Sequence, residues 1–129
     1  MNLIEISQGN SRILKFGPVL DLARMPVDMT GAKAVWRMAR APNSPASEIF
    51  LRKTTEDAVN PITIISSLIS GIPNWFVWVK LLATDTATIP ASINPARYWW
   101  HELMLTDQDG NVDTAYRGGI ILHQSIDIP

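Results

Sequence analysis

Cysteine is absent from this 129-residue chain, which removes disulfide stapling, thiol nucleophiles and cysteine-based zinc or iron–sulfur sites. Only His101 and His123 remain as soft metal ligands or neutral-pH proton carriers. Charge is scarce too: 18% of residues are Asp, Glu, Lys or Arg, and they sum to a formal net charge of -1. Nucleic-acid affinity rests chiefly on neutralised phosphates, so a near-neutral chain with scattered bases offers that partner little. No Gly-x-Ser-x-Gly elbow occurs, and no glycine-rich loop precedes a helix to cradle a phosphate. Together these gaps point away from an enzyme, from any cofactor and from nucleic acid.

The start, Met-Asn-Leu-Ile-Glu-Ile-Ser, has neither a basic region nor a long apolar run, so no secretory signal is expected. Ala58 to Val79 carries no charged residue and is long enough to raise the question of a membrane span. Asn60, Pro61, Ser66, Ser67, Ser70, Gly71, Pro73 and Asn74 interrupt it, and backbone groups freed at those breaks are costly in hydrocarbon. The stretch reads as two strands and a loop. No membrane is expected as a partner.

What the chain does have is apolar and aromatic: 47% hydrophobic residues and five tryptophans. A small domain with so few charges is expected to cover part of its apolar surface with partners. Its periodicity is mostly of period two, punctuated by Gly, Pro, Asn and Asp. Arg12 to Ala23 reads as a strand broken near Gly17-Pro18, where proline removes a ladder donor and marks an edge or bulge. In Ala32 to Arg40, alternation turns Ala34, Trp36 and Met38 inward. Further strands are predicted over Glu48–Lys53, Pro61–Ser66, Asn74–Leu82, Arg97–Thr106 and Asn111–Ile126. The one helical piece is Leu82–Ile89, with Thr84 as a candidate cap and Pro90 as its stop. Seven to eight strands with turns every eight to twelve residues predict an all-β, immunoglobulin-like antiparallel β-sandwich. It is expected to form a single domain over residues 1–129, with a short N-terminal arm over about residues 1–8.

Three constellations bear on chemistry. Asp107, Asp109, Asn111 and Asp113 alternate around Gly110, a spacing that calcium loops use. No glutamate follows to close such a loop, and the simpler reading is a hairpin in which Asp107 caps its own turn amides. If that hairpin is a regular four-residue turn, Asp107 pairs with Gly110. His101 then faces Tyr116, Trp99 faces Gly118 and Trp100 faces Arg117. The two histidines then have no reason to meet, so no metal or acid–base site is expected.

The aromatic residues say more. Trp75, Val77, Val79 and Leu81 form one face of a strand and Phe76, Trp78 and Lys80 the other, which Lys80 assigns outward. Taking Leu103 and Leu105 as core turns Trp99 inward and leaves Tyr98, Trp100 and Met104 outward, with Arg117 near Trp100. Outward rings have three uses: covered within the chain, anchoring a subunit interface, or stacking on a sugar. Leu3, Ile4 and Ile6 form a short apolar arm able to add a strand to a neighbour.

Read in order, Gln8-Gly9-Asn10, Met25-Pro-Val-Asp-Met-Thr-Gly-Ala32, Asp85-Thr86-Ala87, Thr106-Asp-Gln-Asp-Gly110 and Arg117-Gly118 form a series of turn motifs. In Val27–Ala32, Asp28 and Thr30 can accept backbone amides, and Gly31 takes a positive φ before a core strand. The series resembles that of small immunoglobulin-like β-sandwich proteins of tailed bacteriophages, including N-terminal domains of upper baseplate proteins and related tail, collar and fibre components. The resemblance covers nearly the whole chain, although Gly9-Asn10 stands where that family has Gly-Asp. It implies a non-enzymatic structural subunit of a virion, assembled in the bacterial host cytoplasm and docking with other virion proteins and with copies of itself. The interface residues this reading selects are Phe76, Trp78, Tyr98, Trp100, Met104 and Arg117, with Leu3, Ile4 and Ile6. Two alternatives stay open: a module binding a host surface glycan, and a capsid decoration or head-fibre protein.

Overall fold

A computed structural model describes residues 3–91 and 98–123. Eight strands form two sheets: β1 (Ile4–Ser7), β2 (Arg12–Phe16), β3 (Lys33–Ala39), β4 (Ile49–Thr54), β5 (Thr63–Ile69), β6 (Ile72–Leu81), β7 (Trp99–Thr106) and β8 (Val112–His123). One sheet runs β1-β8-β7-β3-β4 and the other β2-β6-β5. The chain is an all-β sandwich, as its alternation predicts. The expected strand start at Arg97 and strand end at Ile126 lie outside the described residues.

The core is built from the inner faces of both sheets. On β7, buried residues alternate strictly with partly exposed ones, which is the signature of a strand with one face in the core. Trp36, Met38, Leu103, Val77, Val79, Leu81, Ile120 and Leu122 have essentially no solvent exposure and belong to one cluster spanning the two sheets. Trp99 and Phe50 meet edge-on at 5.1 Å, and the Arg40 guanidinium lies over both rings. Ala34, Trp36 and Met38 point inward as predicted.

Four local expectations need correction. Leu3, Ile4 and Ile6 do not form a free arm: Ile4–Ser7 is β1, paired with β8 of the same chain, and Ile6 is a core residue. That pairing is parallel, so the sandwich is antiparallel except at this edge. Thr84 does not cap the single-turn helix α1 (Ala83–Thr86). Leu82 occupies the N-cap position, and Asp85 reaches back to accept its N–H at 2.7 Å. The β7–β8 hairpin is also longer than a four-residue turn. Asp107 Oδ1 accepts the amides of both Asp109 and Asn111 at 2.9 Å, which keeps them out of the ladder. Thr106 therefore pairs with Val112, and a bulge beyond Leu103 shifts the register again. Trp99 faces Ile120, Trp100 faces Gly119, His101 faces Gly118 and Glu102 faces Arg117.

The uncharged stretch folds as predicted into two strands, joined more tightly than expected. β5 runs on to Ile69, and only Ser70-Gly71 separates it from β6, both with positive φ. Two consecutive positive-φ residues match the right-handed twist of the strands they join. Asp28 accepts the Thr30 amide at 2.9 Å and its hydroxyl at 2.6 Å, ahead of Gly31 at φ +72.

Candidate functional site

The predicted interface residues fall on opposite sides of the sandwich. Trp100, Met104 and Arg117 lie on the outer face of the five-stranded sheet, and Phe76 and Trp78 on that of the three-stranded sheet. Phe76, Trp78, Tyr98 and Trp100 are all half-buried, neither sealed in the core nor fully open. No single partner surface can engage both groups.

On the larger sheet, register alone lines up four charged residues. Arg52 faces Arg37 across β4 and β3, Arg37 faces Glu102 across β3 and β7, and Glu102 faces Arg117 across β7 and β8. Arg37 Nη2 binds Glu102 Oε1 at 3.2 Å, the one ion pair within this row. Three guanidinium groups around one carboxylate leave the row net positive. Trp100 occupies the next row, between Ala39 and Gly119. A Cβ on Gly119 would come within 3.2 Å of Tyr98 and of Leu3, so both side chains close over bare backbone there. Beside Trp100, a concavity of about 270 Å³ is lined by Ala39, Ala41, Pro42, Asn43 and Ser44, with Arg37, Glu102 and Arg117 at its side. Ser44 fixes its rim by accepting the Ala41 amide at 2.9 Å and donating to the Ala41 carbonyl at 2.7 Å.

The smaller sheet presents a different surface. Its outer face carries Ile13, Lys15, Ile65, Phe76, Trp78 and Lys80, with Lys15 Nζ 4.7 Å from the Trp78 ring centre. Phe76 lies against Gly17, where a Cβ would come within 2.8 Å of the ring. At the tip of the β5–β6 hairpin, Leu68 is 70% exposed, Ile72 53% and Ile69 47%. Sequence reasoning about faces missed these residues, as it missed the 20–26 loop. There Asp21 Oδ1 accepts the amides of Ala23 and Met25 at 2.8 and 2.9 Å, and a Leu20–Pro26 bridge closes the loop. Leu22 and Met25 are left projecting into solvent. The signal was present in Asp21 ahead of Pro26, a turn-forming acid followed by a strand breaker.

The titratable groups are engaged structurally. His101 is buried, with Nδ1 accepting the Trp36 indole N–H at 3.2 Å and no hydrogen-bond partner at Nε2. Burial pushes its pKa down to about 4, against a smaller opposing pull from Glu102, so the ring is neutral near pH 7. His123 sits elsewhere, 3.1 Å from Glu5 on the exposed β1–β8 edge. The Lys53 ammonium is buried against Asp85 at 2.8 Å. Hydrogen bonds from Asn111 hold Asp107 below the usual carboxylate range, and those same bonds commit both of its oxygens to the turn. Among the described residues no three His, Asp or Glu side chains converge into a metal-holding group. No helix there is long and apolar enough to cross a membrane.

No protein-family model matches this chain, and no curated protein matches it significantly.

Proposed function

We propose that the chain is a structural subunit of a tailed-phage virion, acting by docking to other virion proteins and to copies of itself. The virion setting rests on the resemblance of the turn motifs, and the docking on the surface. The observation that carries it is the placement of apolar side chains outside a core that is already complete. Phe76, Trp78 and Ile65 lie on an outer sheet face, and Leu22, Met25, Leu68, Ile69 and Ile72 stand in open solvent. A tail, baseplate, neck or fibre junction and a capsid surface all fit this reading.

The test is made in the phage. Trp78→Ala and Trp100→Ala, each introduced separately because they serve opposite faces, should lower incorporation into particles far more than they lower the melting temperature. A collapse in melting with normal incorporation would assign those rings to the fold.

A second reading has its own support in the concavity at Trp100. The Trp100 ring gives a stacking surface beside a lining of Ala39, Ala41 and Pro42, with Asn43 and Arg117 at hand for hydrogen bonds. Arg37 pairs with Glu102 and Ser44 with the Ala41 backbone, so a sugar would be held there chiefly by the ring. Glycan-array binding that disappears with Trp100→Ala would favour it. Indole fluorescence unchanged by any sugar would remove it.

A further inference from the structure

Among the described residues the two sheets end in four edge strands, and these are not alike. β1 carries Glu5, β2 carries Arg12 and Lys15, and β4 carries Arg52 together with Lys53, whose charge points inward to Asp85. Charged and inward-pointing residues are the usual means of preventing edge-to-edge pairing. β5, Thr-Ile-Ile-Ser-Ser-Leu-Ile, has no charge and no proline over seven residues, and among the described residues it pairs only with β6. Its last two residues are among the most exposed large apolar groups of the described chain.

We infer that β5 is the surface through which two copies of this chain associate, pairing antiparallel about Ser66 to fuse their three-stranded sheets into one six-stranded sheet. The inference deepens the docking reading and rests on it. Three observations select a second copy as the occupant. Self-pairing centred on Ser66 sets Ser66 opposite its own counterpart and Ile65 and Ser67 roughly 8 Å from theirs, so a charge at any of these would meet a like charge; Ala58 to Val79 holds none. The formal net charge of -1 adds little repulsion between copies. Centring on Ser66 pairs all seven residues of β5 and sets Ile64 against Leu68 of the second copy, apolar to apolar on one face.

The backbone is set for it as well. In a ladder closed by a two-residue turn, hydrogen-bonded and non-bonded pairs alternate from the turn outward. Ile69–Ile72 is the first pair, and Leu68–Pro73 is the second, where proline has no N–H to give. By that alternation Leu68, Ser66 and Ile64 turn their N–H and C=O groups to the open edge. A second copy of β5 satisfies all of them by strand addition.

The absence of native cysteine makes the register directly testable. Ser66→Cys places two thiols directly opposite, with Cα atoms about 5.5 Å apart, within disulfide reach. Ser67→Cys instead faces Ile65 of the second copy and lies roughly 8 Å from its own counterpart, beyond that reach. Mild oxidation should therefore give a covalent dimer for Ser66→Cys at micromolar protein and little for Ser67→Cys. Ser66 is exposed, so Ser66→Lys should leave the melting temperature within about 2 °C. The same change should weaken dimerisation by at least about tenfold in light scattering, because two ammonium groups then face each other. A wild type that remains monomeric to about 1 mM overturns the inference, as does equal cross-linking at both positions or a dimer indifferent to Ser66→Lys. A monomeric wild type that still enters particles through Trp78 or Trp100 removes self-pairing while leaving the docking reading in place.

Discussion

The outer face of the five-stranded sheet carries Arg52, Arg37, Glu102 and Arg117 in one row, and its terminal strands both hold charge. The β5–β6 hairpin of the other sheet holds no charge before Lys80, and its tip exposes Leu68, Ile69 and Ile72. Both regions contribute to the core, with Trp36 and Leu103 on one side and Val77 and Val79 on the other, although no residue of β5 is fully buried. Beyond the core, the two regions differ most in what they show outward. One shows a row of charges, the other an uncharged hairpin whose apolar tip lies apart from Lys15 and Lys80 on the same sheet.

Substitutions on the two faces should separate these roles. Leu103→Ala, which removes a side chain with no exposure, should cost about 2–5 kcal/mol in denaturant unfolding, since little around it can collapse into the gap. Ile65→Ala, on the half-buried outer face of β5, should cost well under half of that. Equal losses would erase the distinction between inner and outer faces.

Acid comes next in expected size. His101 titrates near 6.5 when unfolded and near 4 when folded, so below pH 6.5 the unfolded chain binds a proton that the folded chain refuses. Its contribution is complete above pH 6.5 and lost as pH falls towards 4, by roughly 3 kcal/mol in all. Unfolding measured across that window should show the loss, and His101→Phe should flatten it. An unchanged slope in the variant would place the acid sensitivity elsewhere. The smallest effect belongs to the charged row. A double-mutant cycle on Arg37→Ala and Glu102→Ala should give a coupling of about 0.5–1 kcal/mol, as suits a partly exposed pair. A coupling several times larger would make the row a structural element instead of a surface one.

Alternation made most of the strands legible, because one buried face imposes period two on β3, β6 and β7. The inward set Ala34, Trp36 and Met38 and the outward pair Phe76 and Trp78 follow from it directly. Pairing was less legible. The β7–β8 register depends on how many amides the Asp107 carboxylate takes from the ladder and on a bulge that no residue type announces. β1 was read as an arm because a short segment, Ile-Glu-Ile-Ser, says nothing of which strand it joins. The edge position of β5 was hidden for a related reason. An uncharged strand looks the same whether it lies at the centre of a sheet or at its margin, and only topology distinguishes the two. Leu22 and Met25 escaped notice because face assignment has no rule for a loop held open by Asp21.

Light scattering over a salt series tests most directly whether association runs through the uncharged hairpin or through the arginine row. Contacts between exposed charges are largely screened by 1 M salt, where the Debye length is about 3 Å, whereas apolar strand pairing is not. A dimer whose affinity holds or rises between low and high salt is the predicted result. An association that dissolves as salt increases, or that Arg37→Ala abolishes, would contradict the account.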